Sequence, residues 1–127
     1  MDTKPKILIA EDDPDLMDIA KIQLEQDGFE VLSAGDGGDA LTIAREQSPD
    51  FIILDILMPN IDGLTALQEL KKDPRTKEIP TIILSNLGDQ ASKEQAKNIT
   101  DVEYFVKSKV SIDEIIEVIR RKLKIPI

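Results

Sequence analysis

The sequence predicts an α/β fold: a (βα)5 doubly wound domain, its five-stranded parallel sheet in the order 2-1-3-4-5 with helices on both faces. Three observations predict it. Short apolar, β-branched runs alternate with segments of helical periodicity along the whole chain. Three of those runs are nearly continuous in Ile and Leu, as in parallel strands buried on both faces. The 127 residues show no linker, repeat or low-complexity segment, and their number suits one domain with one core. Such alternation wraps helices over both faces of a parallel sheet and puts ligands beyond the carboxyl ends of strands 1 and 3.

The elements follow in order. "KILIA" (6–10) is the first strand. A helix comes next, with Leu16, Ile19, Ala20 and Leu24 in helical spacing, Asp13 before Pro14 as its N-cap and Gly28 as its stop. "EVLSA" (30–34) is the second strand, and residues 38–47, with Ala40, Leu41 and Ala44, the second helix. "FIILD" (51–55) is the third strand; Leu64, Leu67 and Leu70 mark a third helix that stops before Pro74. "TIILS" (81–85) is the fourth strand. The helix at 89–98, "DQASKEQAKN", has only Ala91 and Ala96 as apolar anchors and is expected to dock loosely. "EYFVK" (103–107) is the fifth strand. Ile112, Ile115, Ile116, Ile119 and Leu123 form one stripe of a last helix, which Ser111 and Glu114 open as a capping box. The expected unit is 1–127, with a core over about residues 5–124 and no output domain.

Composition excludes several chemistries. The chain lacks Cys, so disulfides, thiolate metal sites and thiol nucleophiles are out; it lacks His, which removes Ser-His catalysis and His-ligated zinc. Trp is absent and aromatics are 3%, a poor basis for stacking on nucleic acid bases. A net charge of −9 repels a phosphate backbone, so no direct nucleic acid binding is expected, and it attracts cations and basic partner surfaces. The start, "MDTKPKILIA", lacks a leader's apolar stretch, and no run approaches membrane-spanning length. A cytoplasmic location without membrane insertion is the expectation.

The polar groups at the strand ends carry the chemistry. Glu11, Asp12 and Asp13 follow strand 1, and Asp55 ends strand 3, its neighbour in the expected order at roughly 4.8 Å. Crowded carboxylates repel one another unless something neutralises them, and a hard oxygen-loving cation such as Mg²⁺ is the natural candidate. Taken singly, Glu11 or Asp12 reads as readily as an ordinary helix cap. Asp55 does not, because "ILMPN" follows it rather than a helix start. Ser85 ends strand 4 and Lys107 ends strand 5. A terminal Ser is common and a lone Lys is usually just solvated. Together the four strand ends can hold a phosphoryl group: a cation and Lys107 neutralise charge, Ser85 donates a hydrogen bond and Asp55 is the nucleophile.

These motifs resemble the receiver domain of two-component response regulators, over essentially the whole chain. "ILIAEDD" resembles the family's apolar strand and acidic pair, "LDILMPNIDG" its phosphoacceptor motif, "IILSN" the strand that ends in a hydroxyl, and "YFVK" the strand that ends in lysine. The resemblance implies a flavodoxin-like fold and a phosphoprotein that takes a phosphoryl group from the phosphohistidine of a sensor histidine kinase or histidine phosphotransfer protein. It implies Asp55 as acceptor, with Mg²⁺ held by Asp12, Asp55 and the Leu57 backbone carbonyl and Glu11 helping through water. Lys107 then pairs with the phosphoryl oxygens, Ser85 moves to bond one of them, and Tyr104 follows that movement. Output to a downstream effector protein is expected on the face made by helix 89–98, strand 5 and the last helix. The only enzymatic activity implied is promotion of its own phosphorylation and slow dephosphorylation.

Four positions depart from the family. Ser108 stands where proline normally follows the lysine through a cis bond; a non-proline cis bond costs about 2.5–4 kcal/mol, so trans or mixed geometry is expected. Asn86 stands where a small residue is usual, able to hinder attacking water or to donate to the phosphoryl group. Leu57 and Leu87 put apolar side chains near the mouth of the site, and slow hydrolysis of phospho-Asp55 is expected. Competing readings fail on residues. A haloacid-dehalogenase-type enzyme needs a second Asp where Leu57 stands, an FMN binder needs a Ser/Thr/Gly-rich loop where "EDDPD" stands, and no P-loop is present. The remaining alternative is a degenerate receiver that docks proteins without phosphorylation.

Overall fold

The computed structural model describes residues 4–86 and 90–126. Strands and helices alternate as β1 (Lys6–Ala10), α1 (Pro14–Gln26), β2 (Glu30–Ala34), α2 (Gly37–Gln47), β3 (Phe51–Leu54), α3 (Gly63–Lys72), β4 (Thr81–Ser85), α4 (Gln90–Ile99), β5 (Glu103–Val106) and α5 (Ile112–Leu123). All four strand pairings are parallel, in the order β2-β1-β3-β4-β5.

Successive side chains of a strand point to opposite faces, and this divides the core in two. Ile7 and Ile9 of β1, Phe51 and Ile53 of β3 and Ile82 of β4 pack with Met17 and Leu24 of α1 and Ile115, Val118 and Ile119 of α5. Leu8 and Ala10, Ile52 and Leu54, and Ile83 pack on the other face with α2, α3 and Ala96 of α4. Each fully buried Leu or Ile contributes about 1.5–3 kcal/mol relative to exposure.

Capping fixes where the helices begin. Asp13, Asp36 and Asp62 cap α1, α2 and α3, each accepting from a backbone N–H in the first turn, at 2.9, 2.8 and 2.8 Å. Such a cap stabilises by about 1 kcal/mol. The capping box at α5 is present, with Ser111 Oγ accepting from Glu114 N and Glu114 Oε1 from Ser111 N.

The structure corrects several sequence expectations. β3 ends at Leu54 and β5 at Val106, one residue early, so Asp55 lies just beyond its strand and Lys107 opens a short 3-10 turn, Lys107–Lys109. Asp55 still donates one bond to the neighbouring strand, whereas Lys107 has left the ladder for its turn. On α1, Met17 and Leu24 are buried, whereas Leu16 and Ile19 are 43% and 56% exposed. The apolar residues of α1, Ile22 included, cover more of its circumference than one face, so periodicity alone left its rotation open. On α4 only Ala96 is buried and Ala91 is exposed, a weaker anchorage than expected. Asp89, its expected first residue, and Leu87 lie outside the described residues.

Candidate functional site

The carboxyl edge between β1, β3 and β5 gathers the polar strand ends. Parallel pairing sets Ala10 beside Leu54, so the residues that follow, Glu11 and Asp55, emerge side by side. Their backbones continue the ladder: Glu11 N donates to Ala34 O at 3.0 Å and Asp55 N to Ala10 O at 3.1 Å. By the count of alternation both side chains belong to the α1/α5 face, and so does Lys107 beyond Phe105.

Lys107 links the two acids. Its Nζ donates to Asp55 Oδ2 at 2.9 Å and also to Glu11 Oε1. Asp55 is only 5% exposed, yet its charge is paired, which removes most of the penalty of an isolated buried carboxylate. Leu57 N donates to Asp55 Oδ1 at 3.3 Å, and Asp13 N to Glu11 Oε2 at 3.2 Å. Burial pushes the Glu11 carboxyl above its ordinary value, against the lowering effect of the Lys107 hydrogen bond. For Lys107 burial pulls downward, but its hydrogen bonds to Glu11 and Asp55 and their charges outweigh it, and the ammonium is held above its ordinary value. The ammonium therefore stays charged. No peptide bond is cis among the described residues, and Lys107 reaches both acids with Ser108 after it.

"MPNIDG" folds the loop after β3 tightly beneath this edge. Asn60 takes a left-handed conformation, φ 67°, and its Nδ2 donates to Asp36 Oδ2 at 2.9 Å, tying the loop to the start of α2. Gly63 lies flat against Asp55: a Cβ there would stand 2.1 Å from the Asp55 carbonyl oxygen. The glycine is needed for contact, and that contact seats Asp55.

Glu11, Asp12 and Asp55 each bring a carboxylate oxygen within 4.8 Å of the others, with Asp12 exposed to solvent. Three hard oxygen donors at that spacing fit a divalent cation that keeps part of its water. Ser85 and Tyr104 belong to the opposite face of the sheet by the same count. Ser85 is fully buried, and alternation puts it on the face of Ile83, the α2/α3/α4 side. Tyr104 packs on that same side, with Lys93 Nζ 6.0 Å from its ring centre.

The sequence did not disclose a groove of about 360 Å³ between α1 and α5. It opens at Asp55 and Lys107, has Ile9, Ile53 and Ile115 in its floor, and is rimmed by Leu16, Ile19 and Asn86. Alternation counted past the end of β4 could have placed Asn86 there; the rotation of α1, which exposes Leu16, could not be counted.

The profile of the response regulator receiver domain matches residues 7–120. The chain is 36% identical over 120 residues to the DNA-binding dual master transcriptional regulator RpaA of Synechocystis, covering 94% of this chain and 49% of that protein. It is 36% identical over 102 residues to protein PilH of Pseudomonas aeruginosa, 80% of this chain and 84% of that one. Among solved structures, the receiver domain of the Francisella response regulator 1452 superposes with a TM-score of 0.85 at 34% identity, covering 95% of this chain and 98% of that one. The chain thus spans about half the length of RpaA.

Proposed function

The chain belongs to the response regulator receiver domain family, and from that premise we propose that Asp55 accepts a phosphoryl group from a partner's phosphohistidine and that the acyl phosphate switches a protein-binding surface. The observation that carries this reading is Asp55 itself, nearly buried, paired with the Lys107 ammonium and within reach of Glu11 and Asp12. This chain has no histidine, so the phosphohistidine is supplied by a sensor kinase or a histidine phosphotransfer protein.

In the transfer an Asp55 oxygen attacks phosphorus in line, and the P–N bond to the donor imidazole breaks. The imidazole nitrogen keeps the bonding pair and takes up a proton. Asp12, Asp55 and the Leu57 carbonyl, with Glu11 through water, would hold Mg²⁺, which would supply charge neutralisation for the phosphoryl oxygens. Lys107 exchanges a carboxylate for a phosphoryl oxygen. Ser85 reaches the product only by moving from its buried position, and Tyr104, on the same face, moves with it. The acyl phosphate carries a charge of about −2 where the carboxylate carried −1, and its new acceptor oxygens and added charge drive that rearrangement. The weakly anchored α4 is the element that yields, and its output passes by protein contact in the cytoplasm. Leu57, exposed at the mouth, offers attacking water no side-chain hydrogen bond, so the phosphoprotein decays slowly.

The test is intact-mass measurement after incubation with a small phosphodonor and Mg²⁺. Wild type is expected to gain one phosphoryl group, and Asp55→Asn or chelation of the metal to abolish the gain. Labelling that survives in Asp55→Asn sinks the proposal.

A further inference from the structure

We infer that the Asn86 side-chain amide is a further contact for the phosphoryl group, reaching it from the α1/α5 face, opposite the approach of Ser85. This rests on the phosphoacceptor reading of Asp55.

The first observation is one of parity. On β4, Ile82 and Leu84 pack with the α1/α5 cluster and Ile83 with the other. Carrying the count forward gives Ser85 to the face of Ile83 and Asn86 to the face of Leu84. The same count on β3 and β5 gives Asp55 and Lys107 to the α1/α5 face. Asn86, not Ser85, therefore shares a face with the acceptor and its lysine. The groove between α1 and α5 is an independent observation with the same result. Its wall contains Asp55, Lys107 and Asn86, while Ser85 is absent from it. Ser85 is sealed in the core, whereas Asn86 is exposed.

The chemistry of an amide suits the place. Among the described residues the acids Glu11, Asp12 and Asp55 outnumber the Lys107 ammonium in this hollow, so an added anion there gains from a further donor even beside a divalent ion. Asn offers two N–H donors without adding charge, and a hydrogen bond to an ionised oxygen is stronger than a neutral one. Alanine at the same position removes the donor and keeps the backbone.

Beryllofluoride with Mg²⁺ serves as the phosphoryl probe, its affinity read by titration calorimetry and ¹⁹F NMR on the full chain. Asn86→Ala is expected to bind it about tenfold more weakly, the size of one charge-assisted hydrogen bond. Asn86→Asp, which adds a repelling carboxylate, is expected to bind more weakly still. The Mg²⁺ affinity and melting temperature of Asn86→Ala should match wild type, because Asn86 is neither an ion ligand nor buried. Equal beryllofluoride affinity in wild type and Asn86→Ala overturns the role of Asn86 and leaves the acceptor reading intact. A wild-type chain that does not bind the probe overturns both.

Discussion

Asp55 shows how a single side chain is made useful by its neighbours. A carboxylate 5% exposed at the end of an apolar strand is costly alone; Lys107 at 2.9 Å and the Leu57 N–H at 3.3 Å make it tenable. Gly63 is the quieter requirement, since any side chain there enters the Asp55 carbonyl. Gly63→Ala is expected to destabilise the fold by about 1–3 kcal/mol, the usual range for overpacking. Urea denaturation measures this, and the same variant should take up phosphoryl groups more slowly because Asp55 is displaced. An unchanged urea midpoint would show that the loop gives way freely and does not seat the acid.

Helix placement and helix stability separate at the scale of elements. α5 is held by three buried residues and a capping box; α4 has one buried residue. α3 ends at Asp73, whose carboxylate accepts from Arg45 Nε at 2.9 Å, from Arg75 Nη2 at 2.9 Å and from Arg75 Nε at 3.2 Å, joining α2, α3 and the loop before β4. The Arg75 side-chain hydrogen bond and backbone N–H hold this carboxyl well below its ordinary value. A depressed carboxyl contributes stability that is present above its unfolded pKa, about 3.9, and is lost as pH falls through the folded one. Asp73→Asn is therefore expected to melt lower than wild type at pH 7, and the gap should narrow as pH drops below about 4. Thermal melts across pH 2–7 test this; a gap that is constant with pH would mean the carboxylate charge is not what joins these elements.

The whole molecule concentrates negative charge where a divalent cation would fit. The net charge is −9, and three of its carboxylates meet at one edge of the sheet. Repulsion there costs stability that only part of the Lys107 ammonium offsets, so a divalent ion should stabilise the entire fold. Mg²⁺ at a hundred times its dissociation constant adds about 2.7 kcal/mol by mass action. The melting temperature is expected to rise in Mg²⁺ over chelator at matched ionic strength, and to rise much less in Asp12→Asn. A rise reproduced by sodium chloride would reduce the effect to screening. Among the described residues no helix is long and apolar enough to cross a membrane.

The fold and the polar edge of its sheet were legible in the sequence because both follow from short-range rules. Ile- and Leu-rich runs declare buried parallel strands, alternation with helices fixes the layers, and strand ends carry Glu11, Asp55, Ser85 and Lys107 to one edge whatever the packing details. Tertiary structure alone decided which way α1 is rolled, since Leu16, Met17, Ile19 and Ile22 give it more apolar surface than one face can bury. It also decided that Lys107 bridges Glu11 and Asp55 across 96 and 52 residues of chain, and that Ser85 is fully buried. Periodicity is a property of neighbours in sequence; rotation, ion pairing and burial are settled by neighbours in space.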